Sequence, residues 1–210
     1  MIAWIKNRPV IDVGGYQVAV YDRQWLCDAL KRAAQAADHG DFPFVEEVCE
    51  GIFQYLENGC SLKLLSLADL YAKMAAMLRR IDCERIAAHL VIMGPPVSVC
   101  LLSLAERTSL ELAFLQQLRQ ELLRLKAGGA VQVRLERGAA AVRVACGAVV
   151  WSRCCELLLR EVRVLLLAFD PSFELPTDRD GAWDLRLLQP LKSEEPAPSH
   201  EEFEVNENSA

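Results

Sequence analysis

Apolar and polar positions along the first third of the chain alternate, then change period. Val10, Ile11 and Val13 form a short apolar run, Gly14-Gly15 interrupts it, and Tyr16, Val18 and Val20 follow at every second position. Two such runs flanking Gly-Gly predict a β-hairpin, because a two-residue loop needs backbone with positive φ. Asp22 then occupies a helix N-cap position. Leu26, Ala29, Leu30 and Ala33 recur at three- and four-residue spacing, one stripe of an amphipathic helix. The same period predicts helices over 44–56 (Phe44, Val45, Val48, Ile52, Phe53, Leu56) and over 67–81 (Leu67, Leu70, Tyr71, Met74, Met77, Leu78, Ile81), the latter with Ser66 as N-cap. A shorter helix over 83–93 turns Ile86, Ala87 and Leu90 inward.

Gly94-Pro95-Pro96 stops that pattern, since proline cannot continue a helix, and marks the expected boundary between two domains. Beyond it, 97–102 reads as a buried strand. Thr108 or Ser109 is placed to cap a helix running through Leu125, with Leu112, Leu115, Leu118, Leu122 and Leu125 on its inner face. Lys126 suits the last turn and Gly128-Gly129 ends the helix. Residues 131–135 alternate as a half-buried strand, and 141–144 and 148–151 read as two further short strands. Ser152 opens a last helix with the stripe Cys155, Leu158, Leu159, Val162, Leu165 and Leu166. The expectation is an α+β chain: a hairpin with four helices over 1–93, a small α/β domain over 94–169, and an acidic, largely disordered tail over 170–210. Within that tail the apolar segment 180–188, with Trp183, Leu185 and Leu187, is expected to dock back on the body.

The first part resembles a known family. The Gly-Gly hairpin, Tyr21-Asp22-Arg23 leading into an apolar helix, Ser66-Leu67-Ala68-Asp69-Leu70 opening the third helix, and Ile86-Ala87-Ala88-His89 in the fourth stand in the order and spacing of the ATP-cone. That is the small allosteric nucleotide-binding domain at the N-terminus of many ribonucleotide reductases and of the bacterial repressor of reductase genes. The resemblance covers roughly residues 9–93. It implies ATP or dATP with magnesium as ligand, association into homo-oligomers or with a protein partner, and regulation rather than catalysis. It also implies basic side chains on the first strand and turn, where this chain has Asp12 and Val13, and a lysine in the first helix, where it has Trp25. Asp12 beside a triphosphate repels it. The expected nucleotide-binding residues are therefore Lys6, Arg8, Gly14, Gly15, Arg23 and Lys31, assisted by backbone N–H groups at a helix N-terminus.

Charge sharpens the division. The formal net charge of −6 splits into −2 over 1–93, +4 over 94–169 and −8 over 170–210. The arginines of the middle segment (Arg119, Arg124, Arg134, Arg137, Arg143, Arg153, Arg160, Arg163) are interleaved with glutamates and lack aromatic companions, so a solvated surface is expected and a nucleic-acid partner is not. Neither the Gly128-Gly129 pair nor the 138–147 segment matches a phosphate-loop spacing. No stretch approaches the length of a membrane span and no secretory leader is recognisable, so a cytoplasmic protein with no membrane partner is expected.

Eight cysteines without a Cys-x-x-Cys pair, and three scattered histidines (His39, His89, His200), do not form a zinc ribbon. Most of the cysteines are expected to be small buried hydrophobes, with no metal site. His89, on an apolar-rich helix, reads as a packing histidine, and no nucleophile–base pairing suggests an enzyme. Two functions remain: a regulatory protein that senses adenine nucleotide and switches oligomeric state or contacts, and an interaction protein that keeps the cone-like fold without the nucleotide.

Overall fold

A computed structural model describes residues 8–38, 42–108, 110–176 and 181–187. In it the Gly-Gly hairpin forms from β1 (Val10–Val13) and β2 (Tyr16–Val18), paired antiparallel with Val13 opposite Tyr16. Gly14 and Gly15 both take positive φ, and the Asp12 carboxylate accepts the Gly15 N–H at 2.8 Å, closing the turn. Val20 is 90% exposed, so the strand ends before it. The first helix, α1 (Gln24–Ala36), buries Leu26, Ala29, Leu30 and Ala33 as its spacing predicts. Asp22 acts one residue earlier than expected: Arg23 is the N-cap, and the Asp22 carboxylate takes the Gln24 N–H at 3.0 Å.

The next helix, α2 (Val45–Gln54), continues into a π-helical turn, Tyr55–Gly59. β3 (Leu64–Ser66) then joins β1 in parallel, giving a mixed sheet in the order β2-β1-β3. α3 (Leu67–Arg80) starts at Ser66, whose hydroxyl accepts the Asp69 N–H at 3.1 Å as the cap predicts. α4 (Glu84–Ala88) is much shorter than the expected 83–93. Beyond Ala88 the chain leaves the helical path, and Met93 is buried with its carbonyl accepting the Tyr71 hydroxyl at 2.9 Å.

In the second part, β4 (Val97–Cys100) ends two residues before the expected limit because α5 (Leu101–Glu106) begins there. α6 (Glu111–Ala127) follows, and its inner face is Phe114, Leu118, Leu122 and Leu125. Phe114, four residues before Leu118, takes the inner position. Leu115 is only half-buried, and Leu112, on the opposite side, is 80% exposed. The expected Thr108 cap does not form: its hydroxyl donates back to the Leu104 and Ala105 carbonyls, while Ser109 lies outside the described residues. β5 (Gln132–Glu136) alternates as expected and pairs in parallel with β4.

The largest departure follows. Residues 141–144 belong to a helix, α7 (Gly138–Ala145), and not to a strand. Its Gly-Ala-Ala-Ala start favours helix over strand, and burial of Ala139, Ala141, Val142 and Ala145 follows the helical period. The expected strand over 148–151 is a loop, with Val149 and Val150 largely exposed while Ala148 and Trp151 pack partly against the core, so burial does not alternate as a strand requires. α8 (Arg153–Leu167) starts at Ser152, whose side chain lies 3.5 Å from the Cys155 sulfur rather than on the backbone.

Docking of the Trp183 segment is seen directly. β6 (Trp183–Arg186) adds antiparallel to β5, completing a second sheet in the order β4-β5-β6. The register stacks Val97, Val133 and Leu185 in one inward row and Val99, Leu135 and Trp183 in the next, all buried. Phe173 is buried as well, so the core includes residues from the segment expected as tail. Residues 188–210 lie outside the described part. The architecture is α+β, with two three-stranded mixed sheets and helices around them.

The two halves meet at the hairpin. The Gly94 N–H donates to the Gly129 carbonyl at 2.7 Å, and Gly14 lies so close to Gly128 that a Cβ on Gly128 would fall 2.4 Å from the Gly14 Cα. Beside them the Arg124 guanidinium covers the Tyr16 ring at 5.1 Å and pairs with Glu121, which also accepts the Tyr16 hydroxyl.

Candidate functional site

The residues expected to hold a nucleotide are not brought together. Lys6 lies outside the described residues. Arg8 pairs with Glu57, donates to the Tyr21 carbonyl at 3.1 Å and stacks over Phe53 at 4.2 Å. Arg23 reaches Glu50 at 2.6 Å and Lys31 reaches Glu46 at 3.7 Å; both pairs are half-exposed and hold little energy individually. All three cations thus meet glutamates of α2 or its π turn. Gly14 and Gly15 lie elsewhere, under the C-terminal end of α6, where the helix carbonyls carry partial negative charge. A Cβ on Gly14 would come 3.0 Å from the Arg124 carbonyl oxygen.

The three positions at which the chain departs from the ATP-cone pattern each have a structural task. Asp12 closes the hairpin turn, Val13 is fully buried, and Trp25 is buried edge-on to Tyr21 at 6.4 Å. His89, expected as a packing histidine, is instead exposed just past the end of α4, with its Nδ1 2.9 Å from the Arg85 carbonyl oxygen. Leu90 and Ile86 take up the packing on that side.

An apolar recess of about 460 Å³ opens between α2, its π turn and α3. Ile52, Leu70 and Met74 form a buried floor, and Met77 and Ala76 continue it. Gly51 creates the opening: no atom lies within 4 Å of where its Cβ would be, so any side chain there would project into free space. Tyr55 and Lys73 form one rim, with the Lys73 ammonium donating to the Tyr55 hydroxyl at 2.9 Å, and Arg80 forms the other. That hydrogen bond raises the Lys73 pKa. The Tyr55 ring is seated against Gly59, where a Cβ would fall 2.9 Å from Cδ2. The π turn therefore aims Tyr55 at Lys73, in keeping with the recurrence of such turns at functional sites.

Among the described residues, no acidic side chain lines this recess. Its methionines are flexible and polarisable, suited to packing against side chains of more than one shape. An amphipathic helix laid in a groove anchors itself through residues on one face, and a recess with an apolar floor and cationic rims fits such a helix with acidic flanks. Periodicity assigned Met74 and Met77 to the core and so passed over the recess. The signal that could have revealed it was Gly51, isolated inside an otherwise helical pattern, where glycine weakens the helix unless packing or function requires it. Among the described residues no helix is long and apolar enough to cross a membrane. The chain matches none of the protein-family models, curated proteins or solved structures with which it was compared.

Proposed function

We propose that the chain is a cytoplasmic, non-catalytic interaction protein. Its first part keeps the element order of an ATP-cone as a scaffold, and the recess between α2 and α3 docks an amphipathic helix of a partner protein whose apolar stripe is flanked by acidic side chains. The observation that carries this reading is the recess itself: floored by Ile52, Leu70 and Met74, opened by Gly51, and rimmed by Lys73 and Arg80 without an acidic neighbour in its lining. The commitment of Arg8, Arg23 and Lys31 to glutamates, and of Gly14 to Gly128, favours it over sensing of ATP or dATP with magnesium. Nucleotide binding would require breaking those ion pairs or parting the hairpin from α6.

The test is fluorescence anisotropy with a labelled synthetic helical peptide bearing a leucine stripe flanked by glutamates, and with a second peptide in which lysines replace the glutamates. Saturable binding of the acidic peptide is expected. Reversing both rim charges (Lys73→Glu with Arg80→Glu) should weaken it about tenfold, since two exposed ion pairs are replaced by repulsion between like charges. Equal binding of both peptides, or of the acidic peptide to the reversed variant, would remove the recess as the docking site.

A further inference from the structure

Three thiols and one carboxylate converge at the far end of the second part. Cys146 is the C-cap of α7, Cys154 and Cys155 lie in the first turn of α8, and Glu111 is the first residue of α6. The Glu111 carboxylate oxygen and the Cys146 and Cys154 sulfurs all lie within 4.8 Å of one another. Cys154 donates to Glu111 at 2.7 Å, and Cys155, fully buried, has its sulfur 3.5 Å from the Ser152 hydroxyl. Gly147 makes the convergence possible: its φ of +61° ends α7 and reverses the chain, so that the loop before α8 returns beside Cys146. A recess of about 420 Å³, bounded by Leu110, Glu111, Ala145 and Cys146 among others, opens next to the cluster.

We propose that Glu111, Cys146 and Cys154 form a site for a thiophilic divalent cation of the zinc class, with a fourth coordination position open toward that recess. The donor set selects the ion. Two sulfurs favour zinc-like cations over calcium and magnesium, which require oxygen, and one carboxylate completes three of the four tetrahedral positions. Ligand atoms around such an ion stand about 3.5–3.8 Å apart, so side-chain rotation must part the Cys154 sulfur from the Glu111 oxygen, now 2.7 Å away, by about an ångström, while no pair among the three ligand atoms exceeds 4.8 Å. All three side chains reach the ion from different elements, and Cys154 and Glu111 are on the surface side, so entry needs no opening of the core. Adjacent residues on a helix point about 100° apart, which leaves Cys155 as a packing neighbour of the site and not a ligand. Loading replaces the two S–H protons by the metal: one cation is bound, two protons leave, and no electrons move. In the metal-free protein burial pushes the Cys146 thiol well up, and hydrogen bonding to Glu111 raises Cys154.

The experiment is a titration of the reduced full-length protein with zinc against a chromophoric chelator, repeated with cobalt(II) to read thiolate-to-metal charge transfer. One equivalent should bind, cobalt should give the thiolate band, and zinc should shield two cysteines from maleimide. Cys154→Ser and Glu111→Gln, both at the surface, should each lower affinity about tenfold or more and leave the melting temperature of the metal-free protein unchanged. Cys60→Ser, remote from the cluster, should bind as the parent does. The proposal is overturned by the absence of stoichiometric binding, by variants that bind with parental affinity, or by a cluster that loses two hydrogens to a disulfide in air and then proves indifferent to zinc when reduced.

Discussion

The two sheets share one plan and are closed by different means. In each, a central strand pairs in parallel with one neighbour and antiparallel with the other, β1 between β2 and β3, and β5 between β4 and β6. In the first sheet the antiparallel edge follows directly through Gly14-Gly15. In the second it returns only after α7 and α8, and no turn sets its register. Side chains do so instead. Asp170 accepts N–H groups from Ser172 and Arg186 at 3.0 and 2.9 Å, tying the end of β6 to the segment after α8. Trp183 lies over Gly138, where a Cβ would fall 2.1 Å from its ring. An edge strand can therefore be fixed locally by turn chemistry or remotely by a buried anchor and a hydrogen-bond clamp.

The comparison can be broken most forcefully at Trp183. Trp183→Ala removes the anchor of β6 and should cost about 3–5 kcal/mol of unfolding free energy, read from urea denaturation. Hydrogen exchange should show deprotection spreading through β5 and β6 before β1 and β2. Asp170→Ala should cost about 1–3 kcal/mol, because the part-buried N–H groups of Ser172 and Arg186 lose their acceptor. Burial pushes the Asp170 carboxyl up, but the hydrogen bonds from Ser172 and the Arg186 N–H outweigh it and hold the group below its ordinary 3.8. Its contribution is thus present above that value and lost as pH falls through the native pKa. The parent should lose stability in that acid range by a component that Asp170→Ala lacks, measured by denaturation at stepped pH.

Gly14→Ala should cost about 1–2 kcal/mol, since φ of +58° strains any Cβ and the Arg124 carbonyl stands in its way. It tests whether the turn holds the first sheet as the clamp holds the second. The smallest effect has the opposite sign. Gly51→Ala lies outside both sheets, meets no atom, and should stabilise the protein by roughly 0.5–1 kcal/mol as alanine replaces glycine in a helix interior. It should also weaken binding of the acidic peptide by intruding on the recess. A neutral or destabilising outcome in thermal denaturation would mean that α2 is strained there.

The same contrast governs what was legible in the sequence. The hairpin, α1 and the Ser66 cap were readable because each rests on residues a few positions apart. The inward stripes of α6 and α8 were largely readable too, although Phe114, four residues before Leu118, and not Leu112 stands on the inner face of α6. Residues 141–144 misled because Val142 and Val144 alternate, whereas the Ala139-Ala140-Ala141 run before them and the burial of Ala141, Val142 and Ala145 follow a helix. The recess and the thiol cluster were hidden for a related reason: Gly51, Met74 and Lys73, and likewise Glu111, Cys146 and Cys154, become neighbours only through packing between elements. The expected nucleotide residues stand near the hairpin in sequence, and packing separates them.

The most direct test is a melting curve of the full-length protein alone, with magnesium and ATP or dATP, and with the acidic amphipathic peptide. The account predicts that the peptide raises stability by about 2.7 kcal/mol at one hundred times its Kd and that neither nucleotide shifts the midpoint at millimolar concentration. A midpoint raised by nucleotide and unmoved by the peptide would contradict it, and would return Arg8, Arg23 and Lys31 to the role their positions in the sequence first suggested.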